Sequence, residues 1–417
     1  MTTDRPTTAT DPAPAPVPDL AAWRRDQLAT LLRFAEPTLR ADGAAQWLDD
    51  DGRPDAGRPV HSWITSRTAH VYAVASLLGV PGAGERADLA LRGLRDVLAD
   101  VRHGGWVASR GPGDAVDATK SAYAHAFVVL AAASGTVAGR EGARELLDEA
   151  LAVLDARFWE PGPRLHADER SADWSVLDPY RGVNANMHAV EALLAAHDAT
   201  GDGEWLARAA SVADRVVGWA SAHTWRIPEH FDASWTPLPE YNADRPRDPF
   251  KPYGSTPGHG LEWARLLLQL DVAAGTPGAR TDAAVALFDR AVADGWDIAH
   301  GGGFVYTVDW DGVPVEPRRY HWVAAEAVAA ADVLGRVTGD PRFTAAAVGW
   351  WAWIDRYLVD HERGSWHHEL DTDNRPDGVT WVGKPDVYHA AQAVMLPDLP
   401  LTGSFAASAR AAGGLLR

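Results

Sequence analysis

The sequence predicts an all-α fold, an (α/α)6-barrel of six helical hairpins with short β-hairpins in the loops on one face. The first observation behind this is a set of apolar segments that run into small residues and then Gly: SLLG at Gly79, AASG at Gly135, DATG at Gly201, VAAG at Gly275 and RVTG at Gly339. Gly after a helical pattern is the usual helix stop, since it enters the left-handed region without a Cβ clash. The second is recurrence. The segments start near His61, Ala118, Asn184, Gly258, Tyr320 and Pro385, 57 to 74 residues apart, and are apolar round most of the helix with polar exceptions in the first turns. The third is that a more charged amphipathic segment follows each stop, as in REGARELLDEALAVLDARF and PRFTAAAVGWWAWIDRYL, with apolar residues at i, i+3, i+4 and i+7.

Taken in order, residues 1–18 (MTTDRPTTATDPAPAPVP) are rich in Pro, Ala and Thr and read as a disordered tail rather than a signal peptide. Residues 19–417 read as one catalytic barrel. An opening helix around Leu20–Ala35 completes about twelve helices in alternating outer and inner sets. A closed ring of six hairpins is the simplest way to bury six helices that are apolar all round. Each outer helix returns to the next inner one through a long Gly/Trp-rich stretch, such as GGWVASRGPGD, GGGFVYTVDWDG and GSWHHELDTDN. Several of these alternate polar and apolar residues, which predicts short β-hairpins. Loops this long are usually functional, and all emerge where the inner helices begin, so the active site is expected on that face.

The formal net charge of −18 argues against nucleic acid or an anionic membrane as partner and is compatible with a neutral substrate. The absence of cysteine excludes disulfides and thiolate metal sites. No segment has the roughly 20 apolar residues of a membrane span, and a cytoplasmic location is the default. Tryptophan, at 19, outnumbers Phe and Tyr at nine each. Several Trp lie in polar, Gly-rich segments (Trp106, Trp174, Trp235, Trp310, Trp366, Trp381), where an indole face can cover the C–H face of a sugar. Core packing is the plainer role for any one of them.

The inner-helix starts gather polar groups: Arg67 and His70; Tyr123 and His125; Asn184, His188 and Glu191; His259 and Glu262; His321, Trp322 and Glu326; Lys384, His389 and Gln392. One buried histidine is ordinarily a hydrogen-bonded core residue. A histidine in each of six inner helices implies a binding site, because polar groups inside a barrel are costly unless satisfied. His188–x–x–Glu191 and His259–x–x–Glu262 place histidine and carboxylate on one helical face, which suits a metal or a carboxylate orienting the ring. No HExxH or Asp-rich loop supports a metal, and DTDN at Asp371–Asn374 lacks the Gly and Glu of a calcium loop. The expectation is therefore no metal and no cofactor.

The motifs HSWITSRTAHVYAVAS, GGW, VDATKSAYAHAF, RGVNANMHAVEA, EHFDASW, YGSTPGHGLEWARL, GGGFVYTVDWDG and DVYHAAQA run in order along nearly the whole chain after the tail. Together they resemble the N-acylglucosamine 2-epimerase superfamily, within it the aldose–ketose isomerase branch that holds the mannose and sulfoquinovose isomerases. The resemblance implies an (α/α)6-barrel, metal-free chemistry and two histidines facing each other across a monosaccharide. Those positions match His259 in GHGLEW and His389 in DVYHAAQ. Substrate-binding and supporting positions match Arg67, Asn184, His188, Glu262, Trp322 and Glu326, and the helix-start reading adds Tyr123.

The implied reaction is D-mannose to D-fructose, or D-lyxose to D-xylulose, through a cis-enediol. Histidine suits it, with an unperturbed pKa of about 6.5 that lets it take and return a proton near neutrality. His389 is assigned the C1/C2 transfer and His259 ring opening and O1/O2 transfer, with Glu262 expected to hold the His259 tautomer. Arg67 is expected to stabilise charge on O1 and O2. Lys251 and His368 stand where sulfoquinovose isomerases, as the resemblance implies, hold the sulfonate with further cationic and amide groups, which favours mannose. A sugar 2-epimerase, a glycoside hydrolase using Glu262 and Glu326, and a non-catalytic carbohydrate-binding protein remain the alternatives. Monomer and homodimer are both open.

Overall fold

The computed structural model describes residues 14–113 and 115–413, so residues 1–13 of the expected tail lie outside the described residues. In chain order the helices are α1 (Leu20–Ala35), α2 (Ser62–Leu77), α3 (Ala83–Gly93), α4 (Ala122–Val137), α5 (Ala143–Phe158), α6 (Val183–Thr200) and α7 (Gly203–Ala222). There follow α8 (Pro257–Ala273), α9 (Thr281–Gly295), α10 (His321–Thr338), α11 (Pro341–Trp353), α12 (Tyr388–Met395) and α13 (Phe405–Ala412). The even-numbered helices α2 to α12 form an inner ring, each packed on the next, and α12 closes back on α2. Helices α3, α5, α7, α9 and α11 each lie outside the inner helix that precedes them, and α1 lies outside α12. The sixth pair is thus built from the two ends of the chain rather than from a sequential hairpin.

Burial explains the two sets. Residues Ser62 to Ala75 of α2 are all buried, as are Pro257 to Asp271 of α8. The outer helices bury one stripe only, for example Ala209, Val212, Ala213, Val216 and Ala220 of α7. Each large apolar side chain so enclosed contributes roughly 1.5–3 kcal/mol. Gly201 and Gly339 end α6 and α10 in the left-handed conformation (φ 74° and 71°). Gly135 does not end α4: the helix runs on to Val137, and the glycine sits where a Cβ would come within 2.9 Å of Ala143 and Leu91. Helix α13, absent from the sequence expectation, packs across α2, α4 and α6. Its buried Phe405 lies against the His70 ring and beneath the Arg265 guanidinium.

The loop strands differ partly from the expected hairpins. Local hairpins occur at 159–166, 307–316 and 109–117. The other pairings join the entry of an inner helix to the connection one repeat on: Val60–His61 with Ser109–Arg110, Lys120–Ser121 with Glu169–Arg170, Arg181–Gly182 with His230–Phe231, and Arg319–Tyr320 with Glu369–Leu370. Ser255 pairs with Val308, and Lys384 N–H donates to Leu48 O, which carries the pattern round the ring. Backbone groups at the helix entries are satisfied this way, and each entry is fixed against its neighbour.

A buried cation precedes four inner helices. Lys120 pairs with Asp100 (2.6 Å), Arg181 with Glu160 (2.8 Å), Arg319 with Asp297 (2.9 Å) and Lys384 with Asp360 (2.6 Å). Lys384 is therefore not a site residue. It ties the entry of α12 to the turn that follows α11, and its ammonium also donates to Gly364 O. Breaking a buried pair leaves a charge without its partner. The variant K384M is expected to lose about 3 kcal/mol of unfolding free energy, measured by urea denaturation; a loss within experimental error would show that the pair does not hold α12.

Candidate active site

The inner-helix starts surround a central cavity. Its walls include Arg67 from α2, Asn184 and His188 from α6, His259 and Glu262 from α8, His321 and Trp322 from α10, and His389 from α12. Of the histidines noted in the six inner helices, four reach it. His70 lies deeper, with Nδ1 2.7 Å from Ser134 Oγ, and His125 faces the outer layer, accepting from Trp106 N–H. Of the tryptophans singled out in polar segments, only Trp381 lines the cavity, joined by Trp63 and Trp322. Trp106 and Trp366 are fully buried core residues, with their indole N–H groups donating to Leu94 O and Gln27.

His259 and His389 flank the Trp322 ring, with centroid distances of 5.4 and 5.7 Å. Gly258 makes that packing possible, because a Cβ there would lie 2.6 Å from the indole. Each imidazole is held through Nδ1 by a carboxylate. His389 Nδ1 lies 2.9 Å from Glu326 Oε1, and His259 Nδ1 lies 3.0 Å from both oxygens of Glu229. A carboxylate at Nδ1 fixes the proton there and leaves the Nε2 lone pair free. Burial, with Arg67 adding to it, holds His389 well below the usual histidine range, so it is a neutral base.

Glu262, expected to hold the His259 tautomer, does not touch that ring. Glu262 shares a helical face with His259 but sits beside His188 Nδ1 (3.8 Å) and Arg265 (3.5 Å). The carboxylate that holds His259 is Glu229, in the loop stretch EHFDASW next to the His230–Phe231 strand. Its backbone carbonyl accepts from Val183 N–H, so the same strand pairing that fixes the α6 entry aims this side chain. Glu326 stands behind His389 rather than on the cavity wall, ion-paired with Arg265 at 2.9 Å. It cannot flank a glycosidic bond with Glu262, which removes the hydrolase geometry.

Arg67 is buried between Asp386 (3.2 Å) and Tyr123, whose hydroxyl accepts from it at 2.9 Å. Burial opposes its charge, but Tyr123 and Asp386 hold its pKa above the ordinary arginine value. Tyr123 lines the adjoining trough rather than the cavity itself. His321 and His368 stack at 3.9 Å on the wall; burial lowers His321 to about 4 and His368 further, so both are neutral. Asp386 and Glu229 are the site residues that sequence reasoning passed over. Both lie inside motifs of the resemblance, DVYHAAQA and EHFDASW, which were the available signal. Two three-residue groups could approach a metal, His188 with Glu191 and Glu262, and Glu262 with Glu326 and His389. In both, Arg265 already serves a carboxylate.

Residues 43–393 match the N-acylglucosamine 2-epimerase (GlcNAc 2-epimerase) family. A D-mannose isomerase from Thermobifida fusca is 49% identical over 396 residues, 94% of this chain and 97% of the relative. The chain belongs to the N-acylglucosamine 2-epimerase family. A crystal structure of a D-mannose isomerase superposes with a TM-score of 0.84 at 30% identity, covering 91% of this chain and 98% of the other. A cellobiose 2-epimerase from Spirochaeta thermophila superposes at 0.78 with 21% identity, covering 91% and 96%, and shows the shared fold. No helix among the described residues is long and apolar enough to cross a membrane.

The carboxylate–histidine pairs give a direct test. Nitrogen NMR of histidine-labelled protein at alkaline pH is expected to show His259 and His389 as the Nδ1–H tautomer. The variant E229Q should shift the His259 ring nitrogens and leave those of His389 in place. An unchanged His259 spectrum would show that Glu229 does not set its tautomer.

Proposed function

We propose that this protein is a D-mannose isomerase, interconverting D-mannose and D-fructose by proton transfer in the open-chain sugar. The observation that carries the reading is the pair of imidazoles beside one indole in one cavity, each held through Nδ1 by its own carboxylate. The relatives named D-mannose isomerase add to it, since the match runs nearly end to end.

His389, neutral and backed by Glu326, takes the proton from C2 of the aldose and returns it to C1. His259, backed by Glu229, opens the ring and moves the proton between O1 and O2, and Glu229 stabilises the imidazolium formed on the way. Arg67 places positive charge where the enediol oxygens develop negative charge. Asn184, His188, Glu262 and Trp322 bind the sugar, Trp322 by its face and the others by hydrogen bonds. Tyr123 and Glu326 support Arg67 and His389 from behind.

Mannose is favoured over sulfoquinovose by what the two candidate sulfonate cations do. Lys251 lies 3.3 Å from Glu169 and 4.2 Å above the Tyr180 ring, in the trough outside the cavity. His368 is neutral and its Nε2 is occupied by Asp386 O at 3.0 Å. kcat/KM is therefore expected to be higher for mannose than for sulfoquinovose. A tenfold preference the other way, about 1.4 kcal/mol of transition-state binding, would show that the cavity is built for the sulfonate.

The decisive experiment removes the proposed base. H389N should lower kcat/KM for mannose by roughly 10²–10⁴, the usual share of general acid–base catalysis, with an unchanged circular dichroism spectrum. In D2O the wild type should place solvent deuterium at C1 of part of the fructose formed. Near-normal activity in H389N, or fructose free of deuterium at every extent of conversion, would defeat the enediol route.

A further inference from the structure

Below the two histidines lies a cluster that the reaction as described leaves unexplained. Three carboxylates, Glu191 from α6, Glu262 from α8 and Glu326 from α10, are all at least nine-tenths buried around one guanidinium, Arg265. The other cation facing them, Arg67 from α2, is paired with Asp386. The histidines that face the cluster are neutral: burial lowers His70 and His188 to about 4 and holds His389 well below the usual range. Tyr123 from α4 and Tyr388 from α12 complete the surroundings, and burial raises both. Three negative charges against one positive is not a stable arrangement in so enclosed a place. The cluster must retain protons.

The hydrogen bonds decide where. Glu191 accepts from the Tyr388 hydroxyl and from Gln392 Nε2 (3.1 Å), with His188 Nδ1 3.6 Å away. Burial opposes its ionised form, but His188 and Arg265 hold it below the ordinary carboxylate range. Glu326 accepts from Arg265 Nε at 2.9 Å and from His389 Nδ1 at 2.9 Å; burial raises it too, and the Arg265 pair opposes that rise. Glu262 has no such hydrogen bond, and Arg265 Nη2 stands 3.5 Å from its Oε1. Both of its oxygens are buried without a hydrogen-bond partner, as is the His188 Nδ1 that lies 3.8 Å from one of them, and the side chain lines the cavity. Burial and the neighbouring Glu326 charge push Glu262 well above the ordinary range.

We infer that Glu262 is a neutral carboxylic acid in the working enzyme and meets the sugar as a hydrogen-bond donor, not as a carboxylate. Its O–H donates to a sugar oxygen while its carbonyl accepts from a hydroxyl, so one side chain reads two atoms of the substrate. Neutrality also keeps a negative charge away from the place where the enediol becomes anionic. As pH rises and Glu262 ionises, that charge appears and the donor is lost, so turnover falls on the alkaline side. The assignment of a sugar as ligand rests on the isomerase reading; the protonation state does not.

The experiment is infrared difference spectroscopy on the full chain without sugar at neutral pH, with carbon-13 glutamate labelling so that aspartate bands stand apart. The wild type is expected to show the carbonyl band of a neutral glutamic acid, shifted by the label and missing in E262Q. E262A serves as a second variant should the amide disturb folding. A wild type without that band, or variants that keep it, would overturn the inference. With mannose, the alkaline fall in kcat/KM of the wild type should disappear in E262Q, whatever rate that variant retains; an unchanged fall would also overturn it. Since the spectra need no substrate, a protein that fails to isomerise mannose yet shows the band refutes the proposed reaction and leaves the protonated acid standing.

Discussion

An inner helix enclosed on every side must open its polar groups into the central cavity or satisfy them inside the barrel. Ser62 to Ala75 of α2 and Pro257 to Asp271 of α8 have no solvent-facing stripe, so their functional side chains open into the central cavity or are satisfied within the wall. This constraint places the chemistry of five inner helices in one space, with Tyr123 of the sixth in the trough beside it. It also demands that the six entries be held in register, because a shift of one residue turns a helical side chain by about 100° and out of the cavity. The antiparallel pairings between successive connections, and the buried Lys and Arg side chains that precede four inner helices, meet that demand. Catalytic geometry here is a consequence of how the ring is closed.

Much of this was legible in the sequence, for a physical reason. Helices that are apolar all round, stopped by Gly and repeated at similar spacing have few ways to be buried together, and the ring follows. Side chains in the first turns of those helices were legible too, since position on a helix determines the face: Arg67, Asn184, His188, His259, Glu262, Trp322 and His389 all reach one cavity. What escaped was what helical spacing does not encode. Glu229 lies in a loop and meets His259 only because its strand pairs with the entry of α6. Gly135 reads as a stop but serves close packing, which depends on the neighbouring Ala143 and Leu91. Helix α13 is short and lies beyond the last repeat, so periodicity is silent about it.

The two carboxylate–histidine pairs look alike but differ in what stands behind them. Glu326 is itself clamped by Arg265, which draws off part of its charge and fixes its orientation. Among the described residues, Glu229 has an ion pair with His259 alone. A carboxylate shared with an arginine orients its imidazole without strongly favouring the imidazolium, which suits a neutral base acting at carbon. An unshared carboxylate supports an imidazolium better, which suits a group that lends protons to oxygen. The division of labour proposed for His389 and His259 therefore has an electrostatic origin in the second carboxylate partner, not in the rings themselves.

The same accounting separates the parts of the molecule that hold from the part that reacts. At the helix entries the buried cations Lys120, Arg181, Arg319 and Lys384 each have their own acid, Asp100, Glu160, Asp297 and Asp360, so none of them is left unpaired. Beneath the cavity, Glu191, Glu262 and Glu326 share Arg265. A fold selected only for stability would balance that floor as it balances the entries, because unpaired buried charge is among the costliest features a core can contain. The imbalance persists where a proton can be stored close to a base and a substrate oxygen. Charge symmetry at the entries and charge deficit at the floor thus mark, in one chain, the difference between a scaffold and a site.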